Sequence, residues 1–192
     1  MSLTIATIVE GHGEVQALPV LLRRFADALG YSIQVPMPIR VSRDRFLKKQ
    51  EEFDRMIALA VAKSGESRRV LILVDADDDC AKELGARVSE QAQKLRPDVQ
   101  FGVVCAVKEY ECWFLAALDS LIGKRGIPQG ALPPLDPESI RGAKEWLNQK
   151  SSQGYDPARD QAAYTQLMDI DQCRSARSFQ KMEKEAIRLL SS

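Results

Sequence analysis

Val70-Leu71-Ile72-Leu73-Val74-Asp75-Ala76-Asp77-Asp78-Asp79 sets five consecutive apolar residues directly before a cluster of carboxylates. An uninterrupted apolar run of that length suits a strand covered on both faces, as in a parallel sheet with helices above and below. Ligands of such sheets sit beyond the carboxyl ends of the strands, so the acids fall where chemistry is expected.

The segments on either side fit the same plan. Leu3-Thr-Ile-Ala-Thr-Ile-Val9 is a β-branched run that stops at Glu10-Gly11-His12-Gly13. Helical apolar spacing follows through Leu18, Leu21, Leu22, Phe25 and Leu29, with Pro19 read near the helix start and Gly30 placed to end it. Residues 31–41, broken by Pro36 and Pro38, predict an edge strand or a pair of short ones. Residues 44–63 and 80–95 have helical patterns, residues 99–107 read as the next strand, and residues 110–122 return to helical spacing. Strands alternating with helices imply right-handed crossovers. The expected fold is therefore α/β, a Rossmann-like, mostly parallel sheet of about four strands flanked by helices.

Beyond Gly123 the pattern changes to a Gly- and Pro-marked connection, then helical stretches at 138–149, 159–170 and 175–190. The expected division is an α/β core over residues 1–122 and a helical C-terminal extension over 123–192, packed together as one compact domain. A length of 192 residues with 45% apolar content suits one sizeable core.

Composition narrows the function classes. Lys plus Arg and Asp plus Glu number 27 each, so net charge gives no footprint for nucleic acid. No basic leader followed by an apolar stretch, and no run of about 18 apolar residues, is seen, so the expectation is a cytoplasmic chain without a membrane span. Cys80, Cys105, Cys112 and Cys173 form no C-x-x-C pair, and with His12 the only histidine a structural zinc cluster lacks ligands. Buried free thiols are expected. No nucleophile motif such as G-x-S-x-G accompanies His12, which disfavours acyl transfer.

Asp75 and Asp77 are two apart, which in extended backbone aims both side chains to one side. Several hard oxygen ligands together suit Mg²⁺ or Mn²⁺, which take their remaining ligands from water and phosphate. Carboxylates crowded without a cation repel one another, so such clustering signals metal or proton chemistry. The competing explanation is helix capping by Asp77, Asp78 and Asp79, and for Asp79 the cap is preferred.

The order strand, Glu10-Gly11, helix, then strand, Asp75-Ala76-Asp77, helix, strand resembles the Toprim domain of topoisomerases, primases and OLD-family nucleases. More closely, Val9-Glu-Gly-His-Gly-Glu14, Leu73-Val-Asp-Ala-Asp-Asp-Asp-Cys80 and Lys108-Glu-Tyr-Glu-Cys-Trp-Phe-Leu-Ala116 are similar to motifs of a Toprim-like bacterial family, the DUF4276 proteins. Asp160-Gln161 and Arg177-Ser-Phe179 also suit it. The resemblance implies that Glu10 takes a proton role and that Asp75 and Asp77, with Glu10, hold Mg²⁺ or Mn²⁺. It places Glu111 as a further acid beside Trp113. It also suggests a separately encoded ABC-type ATPase partner, since this chain has no Walker motif, in a bacterial defence or DNA-repair setting.

Other candidates carry two readings each. Gly11 and Gly13 are either a phosphate cradle at a helix N-terminus or turn glycines, and G-H-G is not a full dinucleotide fingerprint. His12 is a proton carrier, a ligand or a solvated loop residue. Glu14 caps its helix or joins the metal shell, with the cap preferred. Glu109 and Glu111 are ligands of a second metal or a solvated helix start. Trp113 and Phe114 are read as core. Lys144 and Arg177 are candidate phosphate contacts. The expected function is Mg²⁺-dependent phosphodiester cleavage, nuclease-like, with nucleic acid as a partner. The alternative is a non-catalytic module that binds a nucleotide or a protein on the same scaffold.

Overall fold

Residues 3–191 are described by the computed structural model. In chain order the elements are β1 (Leu3–Thr4), β2 (Ala6–Val9), α1 (Glu14–Ala28), β3 (Ile33–Gln34), β4 (Ile39–Arg40), α2 (Arg43–Lys48), α3 (Gln50–Ser64), β5 (Arg69–Asp75), α4 (Ala81–Leu95) and β6 (Gln100–Ala106). The helices α5 (Cys112–Ala116), α6 (Leu118–Leu121), α7 (Ala143–Lys150), α8 (Pro157–Leu167), α9 (Ile170–Cys173) and α10 (Arg177–Ser191) complete the chain.

The apolar run of β5 lies inside a four-stranded sheet of order β4-β2-β5-β6, and every pairing in it is parallel. Val70 to Val74 are all buried, because one face meets α3 and α4 while the other meets α1, α5 and α10. Truncation of a central residue such as Leu71 to alanine is expected to cost roughly 2–5 kcal/mol. The expected α/β class and parallel sheet are thus the observed ones. Helices from the C-terminal part pack against it: α10 lies on β5 and β6, and α8 lies on α1.

The structure differs locally from the sequence reading at four places. The first run is split: β1 pairs with β3, while β2 pairs with β4 and β5, and Ile5 donates to the Gln34 carbonyl at 3.0 Å between the two. The helix expected over residues 44–63 breaks at Lys49, whose extended backbone lets Phe46 and Phe53 stack with ring centroids 4.9 Å apart. The stretch from residue 110 forms two short helices around Ala117. Gly30 follows the end of α1 with φ +75°, as expected of a glycine there. Pro19 falls inside that helix instead of in its first turn.

Cys105, Cys112 and Cys173 are buried free thiols, whereas Cys80 is free and exposed. Among the described residues, no helix is long and apolar enough to cross a membrane.

Candidate functional site

Because all four strands of the sheet run the same way, their carboxyl ends share one rim. Glu10 follows β2, Asp75 ends β5, Lys108, Glu109 and Glu111 follow β6, and Arg43 follows β4.

Glu10 is partly buried, and its Oε2 is enclosed without a hydrogen-bond partner. Burial raises its pKa, against which the Asp75 backbone N–H acts; Asp77 raises it further. Glu14 is buried at the start of α1, where Gly11 N donates to Oε2 and Gln161 Nε2 donates to Oε1 at 3.3 Å. Its carboxyl too is pushed up, first by burial.

Asp75 has the most crowded carboxyl of the rim. Burial raises its pKa well above the usual range, and Glu14, Glu111, Glu10 and Asp77 add to the rise. Glu111 is buried, accepts from the Tyr155 hydroxyl at 3.0 Å, and is raised by burial to about 7 despite nearby Lys144. Burial pulls Lys144 down, but Glu111, Glu109 and Asp75 override that and leave it raised. An excess of carboxyl groups over cations, partly withdrawn from water, can bind a divalent cation or hold protons near neutral pH.

Asp77 stands differently from the expectation. β5 ends at Asp75, and Asp77 lies in a turn with φ 51°, so the two-residue alternation of an extended strand does not align the pair. Its exposed carboxylate faces Arg43 Nε at 3.5 Å. Arg43 fastens the whole loop: it donates to the carbonyls of Asp75 at 2.9 Å and Ala76 at 3.2 Å, and to Asp79 Oδ2 at 2.5 Å. Asp79 therefore does not cap α4. The N-cap is Cys80, with no side-chain cap bond. Asp78 is taken by Lys108 at 3.2 Å and by Arg141. Among the described residues, no group of three or more His, Cys, Asp or Glu side chains stands close enough to hold one metal ion. Glu10, Asp75 and Asp77 thus share one electrostatic field without converging on a single point.

The remaining candidates separate. The N–H of Gly11 is engaged by Glu14, and a Cβ on Gly13 would lie 1.6 Å from Gln161 Oε1, so packing against α8 accounts for that glycine. His12 is exposed. Glu109 accepts from the Lys144 backbone at 3.0 Å. Trp113 and Phe114 are fully buried, as expected of core. Arg177 lies beside Val107, Ser175 and Glu138 and, among the described residues, pairs with none of the rim acids Glu10, Asp75, Asp77 and Glu111.

Two functional candidates escaped the sequence reading. Arg43 was signalled only by its position just past the strand that borders β2. Tyr155 lies in a connection between helices and carries no local signal for a contact with Glu111, 44 positions away.

No curated protein and no solved structure matches the chain. A family model described as a domain of unknown function, DUF4276, matches residues 9–185, a span that takes in Glu10, Asp75, Asp77, Glu111 and Gln161. The chain therefore belongs to the DUF4276 family.

Proposed function

We propose that this chain is a Toprim-type, Mg²⁺- or Mn²⁺-dependent phosphodiester-cleaving protein acting on nucleic acid. The observation that carries the reading is the placement of Glu10, Glu14, Asp75 and Glu111 along one rim of the sheet, each with its pKa raised, first of all by burial. Crowding of this kind costs stability and suits a resident divalent cation.

The donor set fits a hard cation: carboxylate oxygens only, with Glu10 Oε2 buried and unpartnered. Asp75 and Asp77, with Glu10, would hold the ion, which needs Asp77 to leave Arg43. When bound, Mg²⁺ supplies charge neutralisation at a phosphate and a lowered pKa for an attacking water. The protein's own share is proton handling. Glu111, with a pKa of about 7, is suited to hold and release a proton at neutral pH. Glu10, whose carboxyl burial pushes up, takes the second proton role. Lys144, drawn toward Glu111 and Asp75, can offset phosphate charge. An ABC-type ATPase is the proposed protein partner.

A second reading is favoured by the absence, among the described residues, of a converged three-acid group. On that reading the chain is a non-catalytic module binding a nucleotide or a partner, with the acids serving cation-dependent folding. Purified protein incubated with DNA and RNA in Mg²⁺ or Mn²⁺ separates the two. Cleavage that disappears in the Asp75→Asn, Asp77→Asn double variant supports the enzyme, while calorimetric Mg²⁺ binding without turnover supports the module.

A further inference from the structure

The sheet has one long open edge. β6 is its outermost strand, seven residues in length, and α4 and α10 stand on its two faces. Between them lies a groove of about 950 Å³ whose floor is Phe101, Val103, Cys105 and Val107.

The ladder register fixes which backbone groups face that groove. Gln100 N donates to the Arg68 carbonyl, and Ala76 N donates to the Ala106 carbonyl. Even-numbered residues of β6 therefore direct their N–H and C=O toward β5, and Phe101, Val103 and Cys105 direct theirs outward. Arg188 takes the Phe101 carbonyl, and Gln93 takes the Val99 carbonyl at 3.3 Å. Among the described residues nothing bonds the outward N–H and C=O of Val103 or Cys105. An unpaired row of donors and acceptors at a sheet edge is a template for another strand.

The walls say which strand. Side chains of an added strand would alternate between α4 and α10. On the α4 side Gly85, Ala86 and Ser89 leave room for apolar groups; on the α10 side stand Arg177, Lys181, Glu185 and Arg188. With Lys82 the groove carries four cations against one carboxylate, and Glu185 is already paired with Lys181 and Arg188. The side chains of Lys82 and Arg177 make no ion pair or hydrogen bond among the described residues. A second copy of this edge would bring the same positive charge and be repelled. Nucleic acid would meet an apolar floor whose one aromatic ring, Phe101, is buried and unavailable for stacking.

We propose that the β6 edge is a docking groove for an extended, alternating apolar and acidic segment of a partner polypeptide, added to the sheet as a fifth strand. Backbone pairing at Val103 and Cys105 supplies register, and Arg177 and Lys181 on the α10 wall select acidic side chains, with Lys82 adding positive charge at the groove's end. The groove reaches the acidic rim at Cys80 and Val107 but is lined by none of the rim's acids, and it stands whether or not the chain cleaves phosphodiesters.

The test uses the whole chain and a synthetic, end-blocked octapeptide of alternating valine and glutamate, with a valine–lysine peptide as control. Amide hydrogen exchange is read by NMR. The glutamate peptide is expected to slow exchange at Val103 and Cys105, and the Arg177→Glu, Lys181→Glu variant to bind it at least about tenfold more weakly, a change of about 1.4 kcal/mol. Val103→Pro removes an outward N–H that β5 does not use and should also weaken binding. Asp75→Asn with Asp77→Asn removes only negative charge and should not weaken binding of the acidic peptide, which keeps this result apart from that of the cleavage assay. The proposal is overturned by no slowing at millimolar peptide, or by equal slowing with the lysine peptide. Slowing without peptide in a concentration-dependent dimer would assign the edge to a second copy. Displacement of the peptide by short oligothymidylate with the same amides protected would assign it to nucleic acid.

Discussion

The hydroxyl of Tyr155 donates to Glu111 Oε1 at 3.0 Å, joining the connection between α7 and α8 to the acid that opens α5. The bond favours the ionised form of Glu111, which burial otherwise drives up to about 7. Tyr155→Phe removes the donor and keeps the ring. The Glu111 carboxyl should then titrate higher, by roughly one unit if the lost bond is worth about 1.4 kcal/mol. Carbon-13 NMR titration of the side chain reads this directly, and an unmoved or lowered midpoint would contradict the assignment.

Arg43 is the second lever, because one guanidinium holds two backbone carbonyls and Asp79 while facing Asp77. Lysine offers a single point of attachment and cannot reproduce that fork. Arg43→Lys should lower stability by roughly 1–3 kcal/mol in urea unfolding. It should also tighten Mg²⁺ binding in calorimetry, since Asp77 is released. Weaker Mg²⁺ affinity would mean that Arg43 positions the aspartates instead of competing for them.

Gly13 gives a sharper test of packing. An added Cβ would fall 1.6 Å from Gln161 Oε1 and 2.8 Å from the Pro157 carbonyl, so both a side chain and a helix start must shift. Gly13→Ala should destabilise by about 1–3 kcal/mol and release Gln161 from Glu14. Gly13→Ala combined with Gln161→Ala should recover part of that loss. An alanine variant as stable as the parent would show that the loop does not bear on α8.

The sequence made the sheet legible because β5 and β6 are long and apolar: a buried run of this kind has few other ways to satisfy its backbone. The split at Ile5 was hidden, since β1 and β2 are equally extended and differ only in which neighbours they pair with. The break at Lys49 was hidden as well, because the apolar face from Phe46 to Val61 keeps helical spacing across it. In the site, Glu10, Asp75 and Glu111 could be named from strand ends and family-like motifs. Arg43, Tyr155 and the turn at Asp77 depend on contacts between distant segments, to which local periodicity is blind.

The pH dependence of stability follows from the same carboxyls. A glutamate that titrates at 4.5 when unfolded and at about 7 when folded binds more protons in the native state throughout that interval. Stability then falls as pH rises from 4.5 to 7 and is level above it. For Glu111 alone, at about 1.4 kcal/mol per unit, the loss is on the order of a few kcal/mol, and the raised Glu10, Glu14 and Asp75 act in the same direction. Asp160 and Glu185 are lowered and contribute with the opposite sign, at pH values below their ordinary range. Mg²⁺ competes with protons for ionised carboxylates, so its stabilising effect should be larger at pH 8 than at pH 5.5. Urea unfolding at both pH values with and without Mg²⁺ checks this. Glu111→Gln should flatten the fall, and Asp75→Asn with Asp77→Asn should remove the Mg²⁺ effect. Stability that climbs steadily from pH 4.5 to 7 without metal would mean that burial and neighbouring charge do not hold these acids above their usual range, and the case for a cation at the rim would go with it.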